Sequence, residues 1–192
     1  TPQSDLVIID AHTHYFPAEV AGEPRIWAEA HGEPHWADLV APVNGRSIQG
    51  WATTEEMIRA MDKARVNRAV LLGWYWEQVE NCRWHNRLMA DLLKSHPGRF
   101  YAFAACNPKA APEHVLEILE EAREAGFSGV GELLPQVQGH DLKSPGMIAL
   151  LDYCQRHQWP LNFHVTEPVG HPYPGRVETP LEPLVTLAAE FP

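Results

Sequence analysis

The chain has 192 residues, 15 Lys and Arg against 25 Asp and Glu, a formal charge of −10, and 45% hydrophobic residues. That length suits one domain with a real core, or two small ones, and the mix is globular rather than disordered. The acidic excess argues against nucleic acid or an anionic membrane as partner, since both would be repelled, but leaves room for a small anionic substrate at a local positive cluster.

Strand and helix signals then alternate. Leu6 to Asp10 reads as a short apolar strand running into Ala11-His12-Thr13-His14. Residues 15–52 resist the pattern, with Pro17, Pro24, Pro34, Pro42, Trp27, Trp36 and Trp51 scattered among polar residues and a short helix expected near Pro24 to His31. So long a connection serves either as a lid over a site or as a packed excursion anchored by its tryptophans, and the residues support both equally. Thr53 to Ala64 reads as a helix, with Met57, Met61 and Ala64 on one face and a Thr53–Glu56 capping box. Arg68 to Leu72 is a buried-type strand, followed by a helix from Val79 to Lys94 that stops at His96-Pro97-Gly98. Phe100 to Ala105 is the third strand, and a helix opened by Pro112 and stopped by Gly126 follows it. Gly129 to Leu133 and Pro160 to Val165 are the fourth and fifth strands. Met147, Leu151 and Cys154 mark the helix between them, and Leu181, Leu184, Val185 and Ala188 mark the last helix.

Five strand–helix pairs imply an α/β fold with a parallel sheet and right-handed crossovers. An open doubly wound sheet and a (β/α)8 TIM-like barrel share that rhythm. No Gly-rich phosphate loop follows the first strand, and polar residues gather at the C-terminal ends of strands one, four and five, which favours the barrel. A barrel takes eight strands and roughly 250 residues. Residues 1–192 are therefore expected to be the N-terminal portion of a single barrel, about its first five β/α units. The chain begins at Thr1 rather than Met, which is read as a processed or trimmed end.

No apolar run approaches the roughly 18 residues of a membrane span, and the first residues lack a signal-peptide pattern. Cys82, Cys106 and Cys154 are an odd, widely spaced set in apolar stretches. They read as buried thiols of a reducing compartment, so a cytoplasmic location is expected.

His12 and His14 carry the sharpest chemical signal. Residues two apart on a strand share a face, so both imidazoles can address one point, and imidazole is a good ligand for a divalent ion such as Zn2+. His164 stands at the end of the fifth strand and Glu132 at the end of the fourth. Together, His12, His14, Glu132 and His164 supply three nitrogens and a carboxylate. Asp10 and Asn162, on the same strand faces, are expected to orient these ligands. Taken alone, Glu132 could equally accept bonds from Lys or Arg of nearby loops.

The run Val7-Ile8-Ile9-Asp10-Ala11-His12-Thr13-His14 resembles the first-strand signature of the amidohydrolase superfamily, and Asn162-Phe163-His164 resembles its amidohydrolase-2 branch. That branch includes metal-dependent hydrolases and nonoxidative decarboxylases related to aminocarboxymuconate-semialdehyde decarboxylase. The resemblance implies a distorted barrel in which His12, His14 and His164 are metal ligands. Glu132 departs from the fourth-strand lysine of the binuclear enzymes and looks like the fourth-strand glutamate of TatD-like metallohydrolases, which leaves one ion or two open. The resemblance also implies a strand-six histidine and a strand-eight aspartate, neither of which falls within the five strands read here.

The leading expectation is a metal-dependent hydrolase that directs a metal-activated water at a C–O or C–N bond of a small, carboxylate-bearing substrate, with Glu132 also catalytic. The alternative is a nonoxidative decarboxylase of an unsaturated or aromatic acid; a second alternative is a noncatalytic metal-binding or scaffold protein. Zn2+ is the expected cofactor, a small molecule the expected partner, and a homo-oligomer is compatible with the fold. The aromatic run Trp74-Tyr75-Trp76 after the second strand, Trp74 and Trp76 above all, is a candidate for stacking on the substrate or for loop packing, in equal measure. His140, and His171 with Tyr173 and Arg176, are candidates for binding a substrate carboxylate, Arg176 through its two-pronged guanidinium. His85 reads as a satisfied core histidine, while His31, His35, His96, His114 and His157 carry no pattern.

Overall fold

The structure, a computed structural model, describes residues 6–192, so the first five residues of the single-barrel reading lie outside it. Five strands, β1 (Ile9–Thr13), β2 (Arg68–Leu72), β3 (Phe100–Ala104), β4 (Gly129–Leu133) and β5 (Leu161–Phe163), pair in parallel in chain order. The helices are α1 (Ala18–Gly22), α2 (Pro24–His31), α3 (Pro34–Val40), α4 (Thr54–Ala64) and α5 (Val79–Ser95), then α6 (Pro112–Glu124), α7 (Pro135–Gln138), α8 (Pro145–His157) and α9 (Glu182–Glu190). Sheet and flanking helices form a curved, partly closed half-barrel, about five of the eight units of a TIM barrel.

The central strands β2 to β4 have a neighbour on each side, and their Ala, Val and Leu residues are buried. A core of Met89, Phe100, Ile118, Leu119, Met147 and Leu150 fills the space between the sheet and α5, α6 and α8. β1 and β5 are edges with one neighbour each, so their residues stay exposed or half-buried. This explains why the first strand starts at Ile9 rather than Leu6. Pairing begins at Ile9 opposite Arg68, and Leu6, Val7 and Ile8 remain exposed.

Local chemistry sets the helix ends. Thr53 Oγ1 accepts from Glu56 N–H at 3.2 Å while Glu56 Oε2 accepts from Thr53 N–H at 2.8 Å, the capping box expected for α4. Ser144 caps α8 through Met147 N–H. The single turn α7 has no counterpart in the sequence reading, being too short to show a period.

Residues 15–52 contain three short helices. Trp36, wholly buried on α3, joins Phe16, Val20, Trp74 and Trp76 in a second core, with Trp27 and Trp51 packed against it. The tryptophans therefore do act as anchors, while His35 and Leu39 of α3 reach the cavity at the sheet's C-terminal rim. Buried Glu33 clamps the excursion to the loop after β2. Its carboxylate accepts the backbone N–H of Glu77 (2.9 Å) and Gln78 (3.0 Å) and the side-chain amide of Asn81 (2.5 Å). Glu33→Ala strands all three donors and is expected to lower the unfolding free energy by about 2–3 kcal/mol, read from urea denaturation.

Candidate metal centre

From Asp10 to Thr13 β1 advances three residues while β2 advances two, from Ala69 to Leu71. The extra residue is a β-bulge, which bends the strand and re-aims its side chains. His12 and His14 converge, with their Nε2 atoms 3.2 Å apart and their rings edge to face. Asp10 does not follow them, because the bulge breaks the expected alternation. Its Oδ1 accepts the backbone N–H of His12 at 3.1 Å, and it lines the groove between β1 and α4 instead.

β4 repeats the device. Val130 pairs with Leu161 and Leu133 with Phe163, again three residues against two. The irregularity spans Gly131 and Glu132. Gly131 has φ +132°, and a Cβ there would stand 2.5 Å from the Asn162 carbonyl oxygen, so only glycine fits. Glu132 N–H donates to Gly73 O at 2.6 Å.

The Glu132 carboxylate, 3% exposed, faces three imidazoles. Oε2 lies 3.1 Å from His14 Nε2, while Oε1 lies 3.7 Å from His12 Nε2 and 3.6 Å from His164 Nδ1. No Lys or Arg pairs with it among the described residues. Burial alone would raise this carboxyl group, but hydrogen bonds and charge from His14 and His164 outweigh it and hold it at about 2.

The ligating atoms of His12, His14 and Glu132 lie within 4.8 Å of one another. His14 Nδ1 stands 3.4 Å from Leu72 O. A carbonyl only accepts, so with an ion in place of the Nε2 hydrogen bond to Glu132 the ring proton would sit on Nδ1, the tautomer a metal ligand needs. Two imidazoles and a buried carboxylate suit a divalent cation.

These groups line one cavity of about 620 Å³ together with His164, Asn162, Trp74 and Tyr75. The other candidates are not brought there. Trp76 is wholly buried, and its indole N–H donates to His85 Nδ1 at 3.1 Å; a substrate does not reach it. His85, lowered by burial to about 3, also takes Trp74 N–H on Nδ1 and meets Tyr15 O through Nε2, as a satisfied core histidine should. His140 lies in a neighbouring groove beside Asp141 and Leu142, where its Nδ1 meets Asp141 O at 3.3 Å. His171 is exposed on the loop after β5. Arg176 folds back on that same loop, donating from Nη2 to Glu167 O at 2.7 Å, and lines a separate groove with Glu167 and Glu178.

A family model described as amidohydrolase matches residues 9–192. The chain belongs to the amidohydrolase-2 family. No curated protein matches the sequence. Among solved structures, it is similar to a 5-carboxyvanillate decarboxylase from Novosphingobium aromaticivorans, solved with manganese and a hydroxy-methoxy-nitrobenzoic acid. The TM-score is 0.64 and the identity 19%, covering 96% of this chain and 55% of that one. It is also similar to a dihydroxybenzoic acid decarboxylase from a Polaromonas species with bound manganese (TM-score 0.52, identity 18%, coverage 85% and 50%). A third is a probable 2-pyrone-4,6-dicarboxylic acid hydrolase from Acinetobacter baumannii (TM-score 0.54, identity 17%, coverage 83% and 50%). At these identities the likeness is one of fold. The chain spans about half the length of each of these proteins.

This family member also brings to the cavity Tyr75, from the aromatic run after β2, and His35, which the sequence did not single out. Tyr75 lay inside the aromatic run after β2, but which of its rings faces inward depends on the second core. His35 had no sequence signal because α3 is placed by contacts remote in sequence. The centre predicts that protein equilibrated with Zn2+ or Mn2+ and then desalted retains metal, and that the His12→Ala/His14→Ala double variant retains none by elemental analysis. Gly131→Ala, which strains the backbone beside Glu132 and presses on Asn162 of β5, is expected to weaken binding by about 10–100-fold, the range for groups that orient ligands.

Proposed function

We propose that this chain forms the N-terminal, metal-holding portion of a single barrel that decarboxylates a small aromatic or unsaturated carboxylic acid without an oxidant. The observation that carries the reading is electrostatic. His12, His14, Glu132 and His164 would hold the ion with only one carboxylate among them, so a divalent cation there keeps net positive charge inside an aromatic-walled cavity of an acidic protein. Such a centre selects an anion. Two of the similar structures above are aromatic-acid decarboxylases, which supports the same choice.

When bound, the cation supplies Lewis acidity and charge stabilisation at the substrate's oxygens. The chain's own residues do the rest. Glu132, held ionised, serves as a ligand and not as a proton donor. His164, partly exposed, meets Thr166 Oγ1 at 3.4 Å through Nε2, which turns its Nδ1 toward Glu132. Trp74, edge to face with His14 at 5.0 Å, walls the planar substrate. In the reaction the bond between carboxyl and ring carbon breaks, its electron pair stays on that carbon, a proton replaces the carboxyl group, and CO2 leaves. The imidazole-rich set favours Zn2+, with Mn2+ the competitor on the evidence of the two manganese-bound structures.

Hydrolysis by a metal-activated water is the second reading. It is favoured by the TatD-like position of Glu132 and by the similar dicarboxylic acid hydrolase. Carboxyl-13C-labelled hydroxybenzoates and carboxyl-13C-labelled unsaturated lactone carboxylates, which carry a hydrolysable C–O bond, separate the two. Decarboxylation releases labelled CO2 from the metal-loaded protein and stops with chelator; a hydrolysed product that retains the label overturns it.

A further inference from the structure

β3 lies between β2 and β4 and pairs with both, the last partners being Leu72 with Phe103 and Ala104 with Val130. Past Ala104 it leaves the sheet. A strand that continued would offer the N–H and carbonyl of Ala105 to its neighbours. Here one side chain takes both. Asn86, buried on α5, accepts from Ala105 N–H through Oδ1 at 2.8 Å and donates from Nδ2 to Ala105 O at 2.9 Å. A side-chain amide can match a backbone residue in this way because it carries an acceptor oxygen and N–H donors together.

With β3 drawn toward α5, β2 and β4 meet across the gap. Glu132 N–H donates to Gly73 O at 2.6 Å, a bond between strands that are not neighbours in the sheet. The other side of the same Gly73–Trp74 peptide group is also held, since Trp74 N–H donates to Nδ1 of His85, the residue before Asn86 on α5. The chains close in at Gly73, where a Cβ would stand 2.6 Å from Ala105 Cα. A longer β3 would satisfy the same backbone groups within the sheet and need no buried amide. What the detour provides is the contact of Gly73 with Glu132.

We infer that Asn86 is a positioning residue of the metal centre. By holding the end of β3 out of the sheet, it lets Gly73 fix the backbone from which the Glu132 carboxylate reaches His12, His14 and His164. This rests on the metal-centre reading above and goes beyond it: a determinant of metal affinity sits on a helix and does not line the cavity.

The test compares Asn86→Ala with Leu119→Ala, a truncation of the core behind the sheet that lowers Tm without touching the rim. Zn2+ affinity of the full chain is read by competition with a chromophoric chelator, and the Co2+-loaded chain gives a visible absorption spectrum that reports the ligand set. Asn86→Ala is expected to weaken Zn2+ by about 10–100-fold, the range for groups that orient ligands, and to alter the Co2+ bands. Leu119→Ala lowers Tm but keeps the wild-type spectrum and an affinity within about twofold of wild type, as independent sites do. Asn86→Asp, which keeps the acceptor for Ala105 N–H, enters the same comparison if Asn86→Ala does not fold. Wild-type affinity or an unchanged spectrum in the Asn86 variant, or an equal loss in Leu119→Ala, overturns the inference. A wild-type chain that retains no metal overturns the reading beneath it instead.

Discussion

The buried carboxylate of Glu132 is the constraint on which this half-barrel's site depends. An anion at 3% exposure in an apolar sheet is costly unless matched. Here the matching groups are imidazoles from the ends of two other strands, His12 within and His14 just after β1, and His164 just after β5. The edges of the sheet are thereby tied to its interior at one point. Because all five strands run parallel, that point falls on their common C-terminal rim, where a barrel gathers its chemistry.

Two bulges make the meeting possible. Each inserts one residue beside a candidate ligand, in β1 around His12 and in β4 around Glu132. A regular alternation would have kept Asp10 with the histidines; the bulge sends it to the backbone of His12 instead. In β4 the same device needs Gly131, since both the positive φ and the nearby Asn162 carbonyl exclude a side chain. The glycines around Glu132 were visible in the sequence as room for close approach, but the bulge itself was not, because register belongs to a strand pair rather than to one strand.

The excursion between β1 and α4 illustrates the other limit. Its prolines and tryptophans suited a lid and a packed segment alike, and the structure gives it traits of both. Trp36 is an interior anchor, while His35, one residue before it, reaches the cavity. Trp74 and Trp76 divide in the same way, one walling the site and the other closed in by His85 and the excursion's own rings. Arg176 looked like a carboxylate clamp by chemical type, yet a turn of its own loop gives it the Glu167 carbonyl.

Periodicity, caps and breakers were enough to place the five strand–helix units, since hydrophobic spacing and Gly or Pro stops act within a few residues. They also located His12, His14, Glu132 and His164 at strand ends, because strand order and direction follow from the parallel rhythm. Tertiary structure alone decided which side chains share the cavity: Tyr75 and His35 line it, and Asp10, Trp76, His140, His171 and Arg176 do not. Those outcomes depend on register shifts and on packing between segments distant in the chain, and neither leaves a local trace in the residues concerned.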